Sequence, residues 1–209
     1  MSLVDILSAD RTVSRRTFIK GVIAAGATAS SATYLFRSPA MARAQGAPGA
    51  VERLVTLNVN GQQRRVDVLP QETLGMTLRY KLGLTGTKFG CDRAECGACS
   101  VLLDGVPHYA CSLLTHQVRD RRIITIEGLA SPGGDLHPVQ QAVYDEAGFQ
   151  CAFCAPGFIM AMVGALQVNP NPTREEMAQA LSGNLCRCAD YDKILTSAMR
   201  AAEYTRLQA

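Results

Sequence analysis

The 209-residue chain contains no tryptophan, and aromatic residues make up only 6% of it. A buried core must therefore be built mainly from Leu, Ile, Val, Ala and Met. The chain also lacks a strong charge of one sign: its net charge is +3, and residues 1–44 hold six basic and two acidic residues. The rest, with 15 basic and 16 acidic residues, is nearly neutral. This balance predicts no nucleic-acid partner, and without a nucleotide motif we expect no flavin site in the chain.

The apolar stretch near the N-terminus is short. It covers residues 21–36, about 16 residues, whereas a helix that spans a bilayer needs about 20. The preceding sequence SRRTFIK, residues 14–20, resembles a twin-arginine export signal, and residues 42–44 form an A-x-A cleavage pattern. We expect residues 1–44 to be a signal peptide removed near Ala44, residues 45–51 to be a linker, and the mature chain to be periplasmic. The alternative is an uncleaved signal that serves as a membrane anchor.

Hydrophobic periodicity divides the remaining chain into a mixed part and a helical part. It predicts strands at residues 53–60, 63–69, 100–103, 106–110 and 122–126, and a helix at 73–82. After a Ser-Pro-Gly-Gly breaker at 131–134, it predicts helices at 139–147, 157–168, 173–182 and 191–207. The predicted fold class is α+β, with a small mixed sheet packed on one helix in residues 52–130 and a four-helix bundle in residues 135–207.

All eight cysteines lie in the predicted mature chain, in two sets of four. The first quartet has the spacing C-x4-C-x2-C-x11-C and consists of Cys91, Cys96, Cys99 and Cys111. The x4-x2 spacing is typical of plant-type [2Fe–2S] clusters, in which one loop supplies most of the thiolates. The second quartet combines C-x2-C with a distant C-x-C and consists of Cys151, Cys154, Cys186 and Cys188. Its spacing suits a second iron–sulfur cluster or a structural zinc ion with four thiolates.

Four disulfides are the other interpretation of these cysteines, since an exported chain with an even number of them fits an oxidising compartment. Three observations count against it. Cys186 and Cys188 are too close to pair readily with each other, and a mature chain of about 165 residues can bury a core without such bridges. An export route for folded proteins also suits a cofactor that is inserted before export.

These motifs resemble those of the small iron–sulfur subunits of the molybdenum hydroxylases, the xanthine oxidase and aldehyde oxidoreductase family. The resemblance covers roughly residues 52–205. The motifs that carry it are CDRAECGACSVLLDG at 91–105, HYAC at 108–111, LHPVQQAVYDEAGFQCAFCAPGFIMAM at 136–162 and LSGNLCRCADY at 181–191. It implies a β-grasp, ferredoxin-like domain followed by a four-helix domain, each with one [2Fe–2S] cluster.

The resemblance also implies a large partner subunit that carries molybdenum on molybdopterin, in its cytosine dinucleotide form. Gln150 and Cys188 match the family residues that contact this pterin. The chain departs from the family where Ala94, Ala152 and Ala189-Asp190 replace residues that are commonly Gly, Gly and Thr-Gly. No cysteine ligand is lost through these changes.

We therefore expect an electron-transfer subunit without substrate chemistry or a small-molecule substrate of its own. It would serve a hydroxylase of aldehydes, N-heterocycles or aromatic compounds, and pass electrons to a flavin subunit or a c-type cytochrome. The alternatives are a secreted binding module stabilised by zinc or disulfides, and a free-standing iron–sulfur redox sensor.

Overall fold

A computed structural model describes residues 14–35 and 53–208 of the chain. Helix α1, Arg15–Leu35, forms part of a first unit, and Ser14 caps it because its Oγ accepts a hydrogen bond from the Thr17 N–H at 3.2 Å. No helix within the two described ranges has the length and apolarity that crossing a membrane requires. The predicted cleavage motif and linker lie outside the described residues.

The second unit contains a five-stranded mixed sheet. Its strands are β1 (Leu54–Val59), β2 (Gln62–Asp67), β3 (Ser100–Leu103), β4 (Val106–Tyr109) and β5 (Arg122–Ile124). Their order in the sheet is β2-β1-β5-β3-β4. Strands β1 and β5 are parallel, whereas the other three pairs are antiparallel. The sequence therefore predicted all five strands, while the long-range pairing of β1 with β5 comes from the structure.

Two-residue turns close both hairpins, at the Asn-Gly and Asp-Gly pairs that separate the predicted strands. Asn60 and Gly61 have φ angles of 53° and 74°, and Asp104 and Gly105 have φ angles of 51° and 90°. These left-handed conformations are the ones that Asn-Gly and Asp-Gly turns adopt most readily. The second turn leaves β4 in position to carry the chain on to Cys111.

A helix packs under the sheet and completes the first apolar cluster. It consists of helix α2, Leu74–Met76, which continues directly as a π-helical turn over Thr77–Lys81. Thr73 caps it by accepting a hydrogen bond from the Met76 N–H. The cluster also includes Cys99 and Cys111, so part of the first quartet is anchored in the sheet core.

Four further helices follow: α3 (Pro138–Asp145), α4 (Ala155–Val168), α5 (Arg174–Ala180) and α6 (Tyr191–Gln208). Helix α5 opens with a capping box between Thr173 and Glu176. Helix α4 is buried on nearly all sides, because almost all of its residues are apolar. Strand β3 is buried on both faces, because Val101 and Leu103 join the sheet core while Leu102 joins the helical core beside α4.

Candidate metal centre

The structure brings each predicted quartet of cysteines together and contains all eight as free thiols. In the first quartet, Cys91, Cys96 and Cys99 lie on the loop before β3, and Cys111 follows β4. In the second quartet, Cys151 and Cys154 precede α4, while Cys186 and Cys188 lie between α5 and α6. The structure therefore does not contain the disulfides that the alternative interpretation required.

Within each quartet the thiols form two contacting pairs. Hydrogen-bond contacts join Cys91 to Cys96 and Cys99 to Cys111 in the first quartet. The corresponding pairs in the second quartet are Cys151 with Cys188 and Cys154 with Cys186. In the described part of the chain, no three or more His, Cys, Asp or Glu side chains surround a single point as one metal ion requires. Two pairs instead match a two-iron cluster, in which each iron takes two thiolates.

Backbone N–H groups point at the sulfur atoms of the first quartet. The N–H of Ala94 lies 3.3 Å from the Cys111 sulfur, and those of Glu95 and Cys96 lie 3.3 and 3.4 Å from the Cys91 sulfur. Such donors stabilise negative charge on thiolates and on a cluster bound to them. The loop therefore provides both the ligands and the dipoles that a negatively charged cluster needs.

The thiols of the first quartet differ in acidity because their surroundings differ. Burial alone would raise the pKa of Cys91, but backbone N–H groups of the loop, led by that of Glu95, lower this pKa to about 7. For Cys99, burial dominates and raises the pKa to about 12. Metal binding requires the thiolate form, so filling this site must release a proton from the buried Cys99.

The loop of the first quartet uses left-handed backbone to turn its amides inward. Asp92, Ala94 and Gly97 have φ angles of 52°, 60° and 69°. Gly90 is required for a different reason, because a Cβ there would lie 2.8 Å from the Cys96 sulfur. Ala94, one of the departures from the family pattern, therefore occupies a conformation that costs an L-residue about 1–2 kcal/mol.

The second quartet shows the same contrast between an exposed and a buried pair. Backbone hydrogen bonding, mainly from Phe153, lowers the pKa of the exposed Cys151. Burial and the neighbouring Cys186 thiol raise the pKa of Cys154 to about 12. Ala152 and Ala189 have φ angles of 57° and 60°, so the other two alanine departures also fall at left-handed positions.

The two quartets are joined by direct contacts between their loops. The N–H of Leu185 donates a 2.9 Å hydrogen bond to the carbonyl oxygen of Cys96, and Leu185 is bonded covalently to Cys186. One hydrogen bond and a few covalent bonds therefore link a ligand of the first quartet to a ligand of the second. A cavity of about 400 Å³ lies between them and is lined by residues from both loops, including Cys91 and Cys154.

Three polar contacts that sequence analysis missed hold these loops in place. Buried Asn184 donates from Nδ2 to the carbonyl oxygen of Gly97 at 3.1 Å. The Tyr109 hydroxyl donates to the carbonyl oxygen of Gly183 at 2.7 Å. The N–H of Cys186 donates to the Tyr191 hydroxyl at 3.0 Å. All three residues lie inside the quoted cysteine motifs, but no local pattern indicated their partners.

Gln150 and Cys188, the predicted pterin contacts, lie at the surface beside the second quartet. Gln150 is exposed and Cys188 is partly exposed. Nε2 of Gln150 donates a 2.8 Å hydrogen bond to Oδ1 of Asp190. The structure thus places both predicted residues on one side of the site and adds Asp190 to them.

Comparison with known proteins finds two matching iron–sulfur families. Residues 57–123 match the family described as "2Fe-2S iron-sulfur cluster binding domain", and residues 125–199 match the family described as "[2Fe-2S] binding domain". Each match contains one of the two cysteine quartets. The family boundaries fall close to the end of the sheet at β5.

Similar proteins are subunits or segments of oxidoreductases. The nicotine 6-hydroxylase small subunit of Paenarthrobacter nicotinovorans is 43% identical over 70% of this chain and 88% of its own length. The aldehyde oxidoreductase iron–sulfur-binding subunit of Escherichia coli is 38% identical over 92% of this chain and 90% of its own length. The solved aldehyde oxidoreductase of Desulfovibrio gigas superposes with a TM-score of 0.70 at 39% identity, covering 75% of this chain and 17% of that one.

Proposed function

Because the chain belongs to the family of small iron–sulfur subunits of the molybdenum hydroxylases, we propose that it is the electron-transfer subunit of a periplasmic member. In this proposal it holds two [2Fe–2S] clusters, one in each quartet. Electrons from a molybdenum site in a partner subunit leave through the second quartet, then the first, to an external acceptor. A [2Fe–2S] cluster supplies a site that accepts and returns one electron.

The observation that carries this proposal is the contact between the two quartets. Each quartet presents two pairs of thiols, and the hydrogen bond from Leu185 to Cys96 joins the two loops. A zinc or disulfide module would need neither a second quartet nor a connection to it. Two adjacent sites that each accept one electron support electron transfer from one to the other. The hydrogen bond between the two loops holds the quartets at a fixed distance for this transfer.

The surface around the second quartet supports docking of a large molybdopterin subunit. Phe153, Leu185 and Tyr191 expose 48%, 53% and 42% of their surface there. Exposed apolar side chains grouped around a functional site are typical of protein interfaces. We propose that the partner's molybdopterin, as its cytosine dinucleotide, approaches this surface at Gln150 and Cys188. The similar proteins of Paenarthrobacter nicotinovorans and Escherichia coli are named as separate small or iron–sulfur-binding subunits, which supports a separate large subunit as the partner here.

We further propose that the sheet half, residues 52–130, is a β-grasp domain and that residues 135–207 form a four-helix domain. The order of the strands and the four helices α3–α6 support this division. The N-terminal motif supports twin-arginine export with removal of residues 1–44. In the periplasm, a flavin-bearing subunit or a c-type cytochrome is a suitable acceptor.

Iron, acid-labile sulfide and EPR measurements on the anaerobically purified chain test the two-cluster proposal. We expect about four iron and four sulfide per chain and two distinct signals after reduction. Cys99→Ala should remove only the signal of the first cluster, and Cys154→Ala only that of the second, so each variant controls for the other. Stoichiometric zinc, or iron in one quartet alone, would refute the proposal.

Copurification with a tagged chain tests the partner. We expect a larger polypeptide that carries molybdenum and a pterin. Leu185→Arg should abolish this copurification while both EPR signals remain, because the Leu185 side chain is exposed and its hydrogen bond uses backbone atoms. Leu207→Arg is the matched control, since Leu207 is 84% exposed at the end of α6. Equal loss in both variants would contradict the proposed docking surface.

Cell fractionation tests the location. The wild-type chain should appear in the periplasm, and the double substitution Arg15→Lys, Arg16→Lys should retain it in the cytoplasm, because export through this pathway recognises the arginine pair. Arg11→Lys changes an arginine outside the motif and should leave export intact. Periplasmic accumulation of the double variant would exclude the twin-arginine route.

A further inference from the structure

Asp190 and Gln150 form a hydrogen-bonded pair at the edge of the second quartet. They are 40 residues apart in sequence, and the distance from Nε2 of Gln150 to Oδ1 of Asp190 is 2.8 Å. Because a carboxylate has no hydrogen to donate, Gln150 must offer its amide nitrogen to Asp190. The amide oxygen of Gln150 therefore faces away from Asp190 and remains available as an acceptor on the exposed surface.

The loop that carries Asp190 is fixed at several points, which makes this orientation well defined. Tyr191 accepts a hydrogen bond from the N–H of Cys186, and its ring meets Phe158 edge-on with centroids 6.5 Å apart. The carbonyl oxygen of Asp190 accepts from the N–H of Ile194 at the start of α6. The side chain of Asp190 is thus presented by a constrained backbone.

The second carboxylate oxygen of Asp190 places negative charge near the second quartet of cysteines. Oδ2 is shielded from solvent and has no hydrogen-bond donor among the described residues. A shielded charge without a donor is poorly screened, so its field extends further than that of a solvated carboxylate. This charge lies close to two ligands of the quartet, because Asp190 follows Cys188 by two residues and is hydrogen-bonded to Gln150, the residue that precedes Cys151.

We propose that Asp190 is a positioning and tuning residue of the second quartet: it orients the Gln150 amide toward the partner subunit, and it lowers the reduction potential of the cluster beside it. This inference rests on the proposed function. A reduced cluster carries one more negative charge than an oxidised one, so a fixed carboxylate beside Cys151 disfavours reduction.

A redox titration of the purified chain, followed by EPR, tests the tuning role. Asp190→Asn and Asp190→Gly both remove the charge, and the asparagine variant keeps the size of the side chain. We expect each to favour reduction of the second cluster several-fold, where tenfold corresponds to about 59 mV for one electron, and to leave the first cluster unchanged. Asp192→Asn is the matched control, because Asp192 is two residues away, 94% exposed at its side chain and paired with Arg174. Shifts no larger than that of the control would overturn the tuning role.

A double-mutant cycle on the association of the chain with its large subunit tests the positioning role. Asp190→Ala and Gln150→Ala should each weaken association, and the double variant should be little worse than either single one, because both remove the same oriented amide. Fully additive losses would overturn the positioning role. A wild-type chain that shows no second-cluster signal would instead refute the proposed function, so the two failures are distinguishable.

Discussion

Replacing Gly157 with alanine tests the close approach between helix α4 and the loop of the first quartet. A Cβ built on Gly157 would overlap the carbonyl oxygen of Gly97 and lie 2.9 Å from the Cα of Ala98. Non-bonded heavy atoms pack at about 3.5–4.0 Å, so the loop or the helix would have to move by about 1 Å. Both obstructing groups belong to the backbone and cannot rotate away.

The size of the effect follows from two opposing contributions. Within a helix, replacing glycine with alanine normally stabilises a protein by about 1 kcal/mol. Overpacking a tightly packed contact typically costs about 1–3 kcal/mol, and a backbone obstruction belongs at the upper end of this range. We therefore expect the Gly157→Ala chain to be less stable by about 1–2 kcal/mol, despite the better helix former.

Anaerobic urea denaturation, followed by the visible absorption of the clusters, measures this difference. With an m-value of about 2 kcal/mol/M, the midpoint should fall by about 0.5–1 M. Ala165→Gly in the same helix is the control for propensity, because Ala165 is partly exposed, and it should cost about 1 kcal/mol. A midpoint that rises in Gly157→Ala would refute the close approach and the packing argument built on it.

Three further perturbations follow from individual contacts. Asn184→Ala removes the donor to the buried Gly97 carbonyl and should cost about 1–3 kcal/mol in the same urea assay. Asn184→Asp places a carboxylate oxygen against the same carbonyl at a buried position and should cost at least as much. A neutral result for either variant would contradict the role of the bond. Ala94 has a left-handed φ of 60°, and Ala94→Gly removes the steric strain of an L-residue in this conformation. Because glycine loses more backbone entropy on folding, the net stabilisation should be about 1 kcal/mol or less. A loss of stability would show that the alanine methyl group contributes packing. His137 caps α3, because its Nδ1 accepts a hydrogen bond from the Val139 N–H, and burial lowers the pKa of this imidazole below the usual 6.5. The unfolded chain therefore takes up a proton at a higher pH than the folded chain does. The contribution of His137 to stability is present above pH 6.5 and is lost as the pH falls below that value. His137→Asn keeps a capping acceptor but does not titrate, and its stability should decline less than that of the wild type between pH 7.5 and 5.5 if this contribution is correct.

Local patterns in the sequence were sufficient to predict the five strands and helices α3–α6, but not the π-helical turn at Thr77–Lys81 or the short 3-10 helices at Thr115–Val118 and Ile126–Gly128. The Asn60-Gly61 turn, the capping box at Thr173 and the uniformly apolar α4 each depend on residues within one or two turns of chain. The grouping of the cysteines was also predictable, because their spacing reflects the geometry of metal ligands. Each of these features depends on residues that are close together in the sequence, so a local pattern is enough to indicate it.

Contacts between distant loops were not predictable in this way. Gly157 packs against Gly97, and Asn184 bonds to Gly97 across 87 residues, but neither contact alters a local periodicity. The partnership of Asp190 with Gln150 was equally hidden, although Asp190 stood out as a departure from the family pattern. A single sequence indicates which residues are unusual, whereas the fold determines what they meet.

The hydrogen bond from Leu185 to Cys96 affects which substitutions this protein can accept at position 185 during evolution. It is made entirely of backbone atoms, so nineteen of the twenty amino acids at position 185 would retain the donor, and only proline would remove it. The exposed side chain of Leu185 is therefore free to vary with the surface of whatever binds over it. Adaptation to a new partner and preservation of the connection between the quartets can proceed at the same residue without conflict.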